Sequence, residues 1–243
     1  MLIAVLSDIH GNRHALEATL EDVEAAGAQE IWCLGDIVGY GADPNDCCAL
    51  MAERADVCLA GNHDLAVTGE LSVEEFSRGA ALAASWTREV IRPVHLSWLQ
   101  GLSPTAEARQ VGLFHGSPRD PVWEYVLSAL LADLCLDAQE HRICLVGHSH
   151  VALSFVRPPG EPATGERRYA DDELDLSEGD WLLNPGSVGQ PRDGDPRAAW
   201  LALDLENATA AWRRVPYDVA GAQAAIRAAR LPASLAERLE YGQ

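Results

Sequence analysis

The sequence is poor in positive charge. Its 18 basic residues face 37 acidic ones, a formal net charge of −19 at pH 7 over 243 residues. Binding along a nucleic-acid backbone needs a basic surface that displaces counterions, so that partner class is set aside. An acidic protein that handles phosphate must draw local positive charge from a few arginines or from metal. Long apolar runs are missing too. No stretch approaches a membrane span, and the opening MLIAVLSDIHGN has no basic start and only a short apolar run. It reads as a first core strand and not as a signal peptide. The six cysteines (Cys33, Cys47, Cys48, Cys58, Cys135, Cys144) show no C-x-x-C spacing and sit mostly within apolar runs. They read as small reduced core residues of a cytoplasmic protein. Internal repeats and low-complexity tracts are absent.

With 48% hydrophobic residues, the chain can bury a full core. We read residues 1–243 as a single domain whose segment 217–243 is an alanine-rich helical tail interrupted at Pro232. LIAVL (2–6), EIWCL (30–34), DVCLA (56–60), VGLF (111–114) and RICLV (142–146) are short, unbroken apolar runs. Such runs fit strands buried on both faces. HALEATLEDVEAAG ends at Gly27 as a helix would, and DPNDCCALMAERA opens with an aspartate–proline start. Alternating strands and helices point to a layered α/β core with mainly parallel connections. Residues 66–101 read as helix broken at Gly69, Gly79 and Pro93, and residues 121–141 as another helix. VALSFVR, DWLLNPG, AAWLALDLE and ATAAWRRVPY read as antiparallel strands. The polar, acidic segment 157–180 reads as a surface hairpin or loop.

The informative residues follow the buried strands. After the five runs come S-D-I-H-G-N, G-D-I-V-G-Y-G, G-N-H-D, H-G-S-P and G-H-S-H. Each turn contains glycine and carries Asp, Asn or His. Strand carboxyl ends in open α/β sheets form the ligand-binding crevice, so these groups converge on one edge. Asp, His and Asn without cysteine suit Mn²⁺, Fe, Zn²⁺ or Ni²⁺ better than a structural thiolate site. The donors are too many for one ion, and two are expected, about 3.5–4 Å apart with a carboxylate between them. Two such ions bind phosphate oxygens and lower the pKa of a bridging water, which makes it a nucleophile.

In their order, these motifs resemble those of the calcineurin-like metallophosphoesterase superfamily, most closely its small bacterial and archaeal phosphodiesterase-like members. They span residues 6–150, and N-P-G-S-V-G-Q-P-R-D (184–193) extends the likeness. The resemblance implies a four-layer αββα sandwich of two mixed β-sheets flanked by helices. It implies that Asp8, His10 and His150 hold one metal, that Asn62, His115 and His148 hold the other, and that Asp36 bridges them. It makes His63 the proton donor to the leaving oxygen, a role that suits an imidazole near neutral pH. Asp64 either orients His63 or caps a helix. The serine/threonine phosphatase branch carries Asp-Arg where this chain has Gly39-Tyr40. The absent arginine would clamp a phosphate oxygen, so a diester or nucleotide substrate is expected over a phosphoprotein. Arg192 is the candidate replacement for that charge, and Asn12 a candidate contact to phosphate.

The expected activity is thus a two-metal phosphoesterase, manganese first among its metals, acting as a phosphodiesterase on a small phosphate ester or nucleotide. The alternatives are a dinucleoside polyphosphate or phosphomonoester hydrolase and, further off, a non-catalytic module on the same fold. A homo-oligomer is compatible with all of them. His14, His95 and His141 have no motif around them and read as ordinary histidines. Trp123 and Tyr125 follow the His115 turn and are candidates for a pocket wall, whereas Asp193 and Asp195 read as turn residues.

Overall fold

The first apolar run already contains the layering. In the strand Leu2–Leu6, Ile3 and Val5 enter one core while Ala4 and Leu6 enter another. Neighbouring side chains of a strand point to opposite faces, so a strand apolar at every position must be covered on both sides. A computed structural model of residues 1–243 has twelve strands. They are β1 (Leu2–Leu6), β2 (Glu30–Cys33), β3 (Val57–Cys58), β4 (Thr105–Ala108), β5 (Val111–Phe114) and β6 (Ile143–Val146), followed by β7 (Ala152–Arg157), β8 (Thr164–Arg167), β9 (Glu173–Asp175), β10 (Asp180–Pro185), β11 (Ala198–Asp204) and β12 (Thr209–Val215). They form two six-stranded mixed sheets, ordered β3-β2-β1-β11-β12-β9 and β4-β5-β6-β10-β7-β8.

The core between the sheets takes Ile3, Val5, Trp32 and Leu201 from the first and Val111, Leu145, Trp181 and Leu183 from the second. Outside the first sheet, α1 (Arg13–Ala25) and α2 (Pro44–Arg54) pack on Leu6, Cys33 and Trp200. Three further helices follow, α3 (Asn62–Thr68), α4 (Arg78–Val90) and α5 (Pro93–Leu99). Outside the second sheet, α6 (Ala129–Asp137) covers Cys144, Leu182 and Phe155. The expected four layers are present, one of the outer two resting largely on a single helix. In the tail, α7 (Val219–Ala228) and α8 (Ala233–Glu237) pack with Tyr40, Ala80 and Ala83. No helix is long and apolar enough to cross a membrane.

Three local expectations are corrected. Gly79 is not itself the break; it is the second residue of α4, whose start is set two residues before it by the Ser77 hydroxyl accepting from Ala80 N–H. Residues 121–128 are not helical. The Asp120 carboxylate accepts the Val122 and Trp123 N–H groups at 3.1 and 3.0 Å, a turn that competes with helix, and α6 starts only after the Ser128 cap. The segment 157–180 is not a hairpin of its own: β8 closes an antiparallel hairpin with the preceding β7 across the loop 158–163, whereas β9 pairs with β12 in the other sheet. It is a strap that ties the two sheets together at their edges.

Asp193 is also more than a turn residue. Its carboxylate pairs with Arg214 of β12, both side chains being nearly inaccessible, and accepts from Ala152 N–H at 3.4 Å. The pair pins the loop after β10 to the first sheet. Removing one partner leaves the other charge buried, so Arg214→Met should destabilise the protein by about 3–5 kcal/mol in urea unfolding. The double variant with Asp193→Leu should regain most of that loss. Full additivity of the two single losses would show that the pair is not the source of the effect.

Candidate metal centre and substrate pocket

All the ligand-bearing turns leave parallel strands. β1, β2 and β3 run parallel in one sheet, as do β5, β6 and β10 in the other, so their carboxyl ends open together. The first two turns are laced side by side: Asp8 N–H donates to Gly35 O at 3.0 Å, His10 N–H to Asp36 O at 2.8 Å, and Gly11 N–H to Ile37 O at 2.9 Å. The turns are tight. Asp8, His10, Asp36, Tyr40, His148 and His150 all take left-handed φ values between 51° and 62°. A side chain with a Cβ occupies that region at a cost of roughly 1–2 kcal/mol, and such residues concentrate at functional sites.

Two donor groups result, one of Asp8, His10, Asp36 and His150, the other of Asp36, His115 and His148, with ligand atoms within 4.8 Å of one another in each. Asp36 belongs to both. Its Oδ2 lies 3.5 Å from His10 Nε2 and 3.6 Å from His115 Nε2. The Asn62 side-chain oxygen joins the second group, 3.2 Å from His115 Nε2. All seven residues are buried.

The His10 and His150 imidazoles cannot satisfy each other. His10 Nδ1 donates to Val38 O at 3.2 Å, His150 Nδ1 to Gln190 O at 2.6 Å, and His115 Nδ1 to Leu34 O at 2.8 Å. Carbonyls only accept, so each ring keeps its proton on Nδ1 and turns a bare Nε2 lone pair inward. His10 Nε2 and His150 Nε2 then face each other at 3.1 Å with no hydrogen to share. His115 Nε2 faces His148 Nδ1 at 3.2 Å, and Asp8 Oδ1 is buried without a partner. This inward set of lone pairs fits two cations: it is a dinuclear metal-binding site. Burial above all, with neighbouring like charges adding to it, pushes Asp8 up to about 7 and Asp36 well above the carboxylate range, and it pushes His10, His148 and His150 well below the ordinary imidazole value. His10, His148 and His150 are thus already in their ligand form, and the two carboxyls must lose protons.

The 186–190 segment holds the cluster from behind. Gly189 N–H and the Ser187 hydroxyl both donate to Asp8 O, at 3.0 and 2.8 Å. Position 189 admits only glycine, since a Cβ there would stand 1.8 Å from Ile9 O.

His63 lines the cavity over this centre but takes no part in either donor group. Its N–H donates to Asp36 Oδ1 at 2.9 Å, and its ring lies between Tyr40 and Phe76, at 4.4 and 4.9 Å. Burial, with the Arg192 charge adding to it, lowers His63 to about 3. Its Nδ1 is buried, unpartnered, and pressed against Gly39, where a Cβ would approach it to 2.4 Å. Asp64 does not orient it. That carboxylate accepts from Ile37, Val38 and Gly61 N–H at 3.2, 3.0 and 2.9 Å, so it caps α3 and ties down the Asp36 turn.

Asn12 requires a correction. It caps α1 through Oδ1, which accepts from Ala15 N–H at 3.1 Å, and its amide donates to Gly189 O at 2.9 Å and to the Tyr217 hydroxyl. With its polar atoms engaged and no place on the cavity wall, it positions the 189 turn instead of meeting substrate. Arg192 does line the cavity, as do Trp123 and Tyr125. The cavity measures about 300 Å³ and also receives Phe76 and, from the tail, Arg238. Neither follows from a motif: Phe76 comes from a short turn between helices, and Arg238 from a segment with ordinary helical composition. His14, His95 and His141 stay outside both donor groups.

A family model described as a calcineurin-like phosphoesterase superfamily domain matches residues 1–208. An uncharacterized protein of Methanocaldococcus jannaschii is 37% identical over 247 residues, covering 100% of this chain and 98% of its own length. The crystal structure of a metallophosphoesterase from Sphaerobacter thermophilus is similar at 39% identity, with a TM-score of 0.91 over 100% of both chains. A hypothetical protein from Pyrococcus horikoshii shares the fold at 19% identity and a TM-score of 0.80, over 100% of this chain and 98% of that one. With its donor set intact and its fold matched from end to end, the chain belongs to the calcineurin-like phosphoesterase superfamily.

Proposed function

We propose that the chain is a metal-dependent phosphodiesterase acting on a small phosphate ester or nucleotide. The observation that supports this most is the carboxylate of Asp36, common to two groups of inward-facing lone pairs at the floor of an open cavity. In this reading Asp8, His10 and His150 hold one ion, Asn62, His115 and His148 hold the other, and Asp36 serves both. Manganese is the first candidate, with iron, zinc and nickel behind it. Two ions in such a site supply positive charge to phosphate oxygens and acidify water at neutral pH.

The remaining groups bind and position substrate. Arg192 places a guanidinium beside the phosphate site, and Trp123, Tyr125 and Phe76 offer flat apolar surface to an ester group. His63 donates from Nε2 toward the leaving oxygen. Burial keeps its ring neutral, so at first it offers a hydrogen bond. Full proton transfer requires the substrate's negative charge to raise the imidazole from its buried value.

Hydrolysis of bis(p-nitrophenyl) phosphate should require a transition metal, and Asp36→Ala should abolish it with loss of both ions in metal analysis. Full activity after chelation and dialysis would refute the reading; two-metal occupancy in Asp36→Ala would refute the shared role alone.

Metal uptake should release protons from carboxyls and not from imidazoles. Asp8, held near 7, is protonated below that pH and must ionise to bind. Affinity should therefore fall as pH drops below about 7, with proton release visible in calorimetry across buffers of different ionisation enthalpy. Uptake at pH values near 6 (about one unit below Asp8) without proton release would contradict this account.

His63→Ala should keep both metals and lower kcat, by the smaller part of the roughly 10²–10⁴-fold range typical of acid–base groups, because no carboxylate orients the ring. The loss should be larger for an alkyl leaving group than for p-nitrophenolate, which hardly needs a proton. Equal losses on both would assign His63 to phosphate binding.

A further inference from the structure

Ring contacts give the cavity wall an order. The Arg192 guanidinium lies over Tyr40 at 5.8 Å, Tyr40 lies against His63, and His63 meets Phe76. Phe76 is edge-on to Trp123 at 5.3 Å, and Tyr125 stacks on His148 at 4.2 Å. The wall therefore has a guanidinium end and an aromatic end, with the donor cluster between them.

A second guanidinium joins the first. Arg238 comes from the tail, beyond the residues 1–208 that match the family model, so the family likeness assigns it nothing. The segment that carries it is fixed. Leu235 and Leu239 are buried against Tyr40 and α4, and Gly194 N–H donates to Gly242 O at 3.0 Å, two residues past Arg192. Arg238 Nε donates to the Gln243 carbonyl, and Arg192 donates to Gln190 Oε1 at 2.9 Å. Neither guanidinium pairs with an Asp or Glu side chain, although the chain has 37 acidic residues. Besides Asp36, the only carboxylate on the cavity wall is the exposed Glu75. The sequence contains no lysine, so these two arginines are the pocket's whole fixed positive charge. Burial and the neighbouring Arg192 charge both lower Arg238, the mark of two like charges held together. An anion between them removes that repulsion, and guanidinium forks match phosphate oxygens.

We propose that Arg192 and Arg238 form an anion subsite beside the metal centre, which takes a second phosphoryl group of the substrate while the aromatic end takes a flat substituent on the other side. Substrates are then asymmetric phosphodiesters, with one ester group flat and the other carrying a phosphate. The inference rests on the phosphodiesterase reading and adds a specificity determinant from the tail to it.

The test compares thymidine 5′-(p-nitrophenyl phosphate) with the same ester bearing a 3′-phosphate, using the metal-loaded full chain. A charged hydrogen bond contributes enough for the phosphorylated ester to be preferred about tenfold or more in kcat/KM, mainly through KM. In Arg238→Gln with both metals retained, the ratio should fall to about one, and Arg238→Lys should restore part of it, since a point charge replaces the fork. Equal kcat/KM for the two esters, or a preference that survives Arg238→Gln, would overturn the subsite while turnover of bis(p-nitrophenyl) phosphate upheld the phosphodiesterase reading. If no ester is hydrolysed, that reading fails on its own. The subsite is then decided by equilibrium binding of thymidine 3′,5′-bisphosphate against thymidine 5′-monophosphate: tighter binding of the bisphosphate, lost in Arg238→Gln, supports it, and equal affinities overturn it.

Discussion

The position of the Asp36 carboxylate governs the rest of the site. Oδ1 is held by His63 N–H, which leaves Oδ2 between His10 and His115. Its backbone is in the left-handed region, and Asp64 fixes the next two amides. Gly61 leaves the room it needs, because a Cβ there would stand 2.0 Å from Oδ1. The G-D and G-N-H-D turns are therefore one device. The first supplies the shared carboxylate, and the second supplies its clamp, its capping aspartate and the histidine above it.

Such a device is costly in isolation. Six left-handed residues, facing lone pairs and buried carboxyls all raise the free energy of the site. The turns persist because each begins at the end of a strand covered on both faces, where shifting register by one residue would exchange the contents of two cores. Cations held by these residues would offset the electrostatic part. Rigid strands and a strained edge are thus two aspects of one construction.

This construction also decides what the sequence could reveal. Unbroken apolar runs report burial on both faces, and a residue directly after such a run has its position set by the strand. The convergence of Asp8, His10, Asp36, Asn62, His115, His148 and His150 is therefore legible in the sequence. Groups placed by long-range packing were not legible in the same way. Asn12 stands next to a ligand turn, yet its amide is drawn to Gly189, distant in sequence. Asp193 resembles a turn residue until Arg214 is set against it. The helix expected from residue 121 yields to the Asp120 carboxylate, a local competitor that apolar periodicity does not register. Strap 157–180 looks like a hairpin because pairing partners in two different sheets leave no mark on either strand.

The Gly39-Tyr40 pair shows how one local change propagates. In the branch that carries Asp-Arg there, a carboxylate and a guanidinium come with the turn itself. Here Gly39 leaves His63 Nδ1 pressed on bare backbone, with no carboxylate to hold a proton on it. Tyr40 fills the arginine's place with a ring that meets His10 at 4.7 Å and His63 at 4.4 Å, and its hydroxyl lies 3.5 Å from Arg192 Nη2. The positive charge beside this turn stands on the loop after β10, with the aromatic ring as its platform. Tyr40 is also the residue against which α4, α7 and α8 pack. The ring that seats Arg192 thus also seats the tail, and through the tail it places Arg238 on the cavity wall.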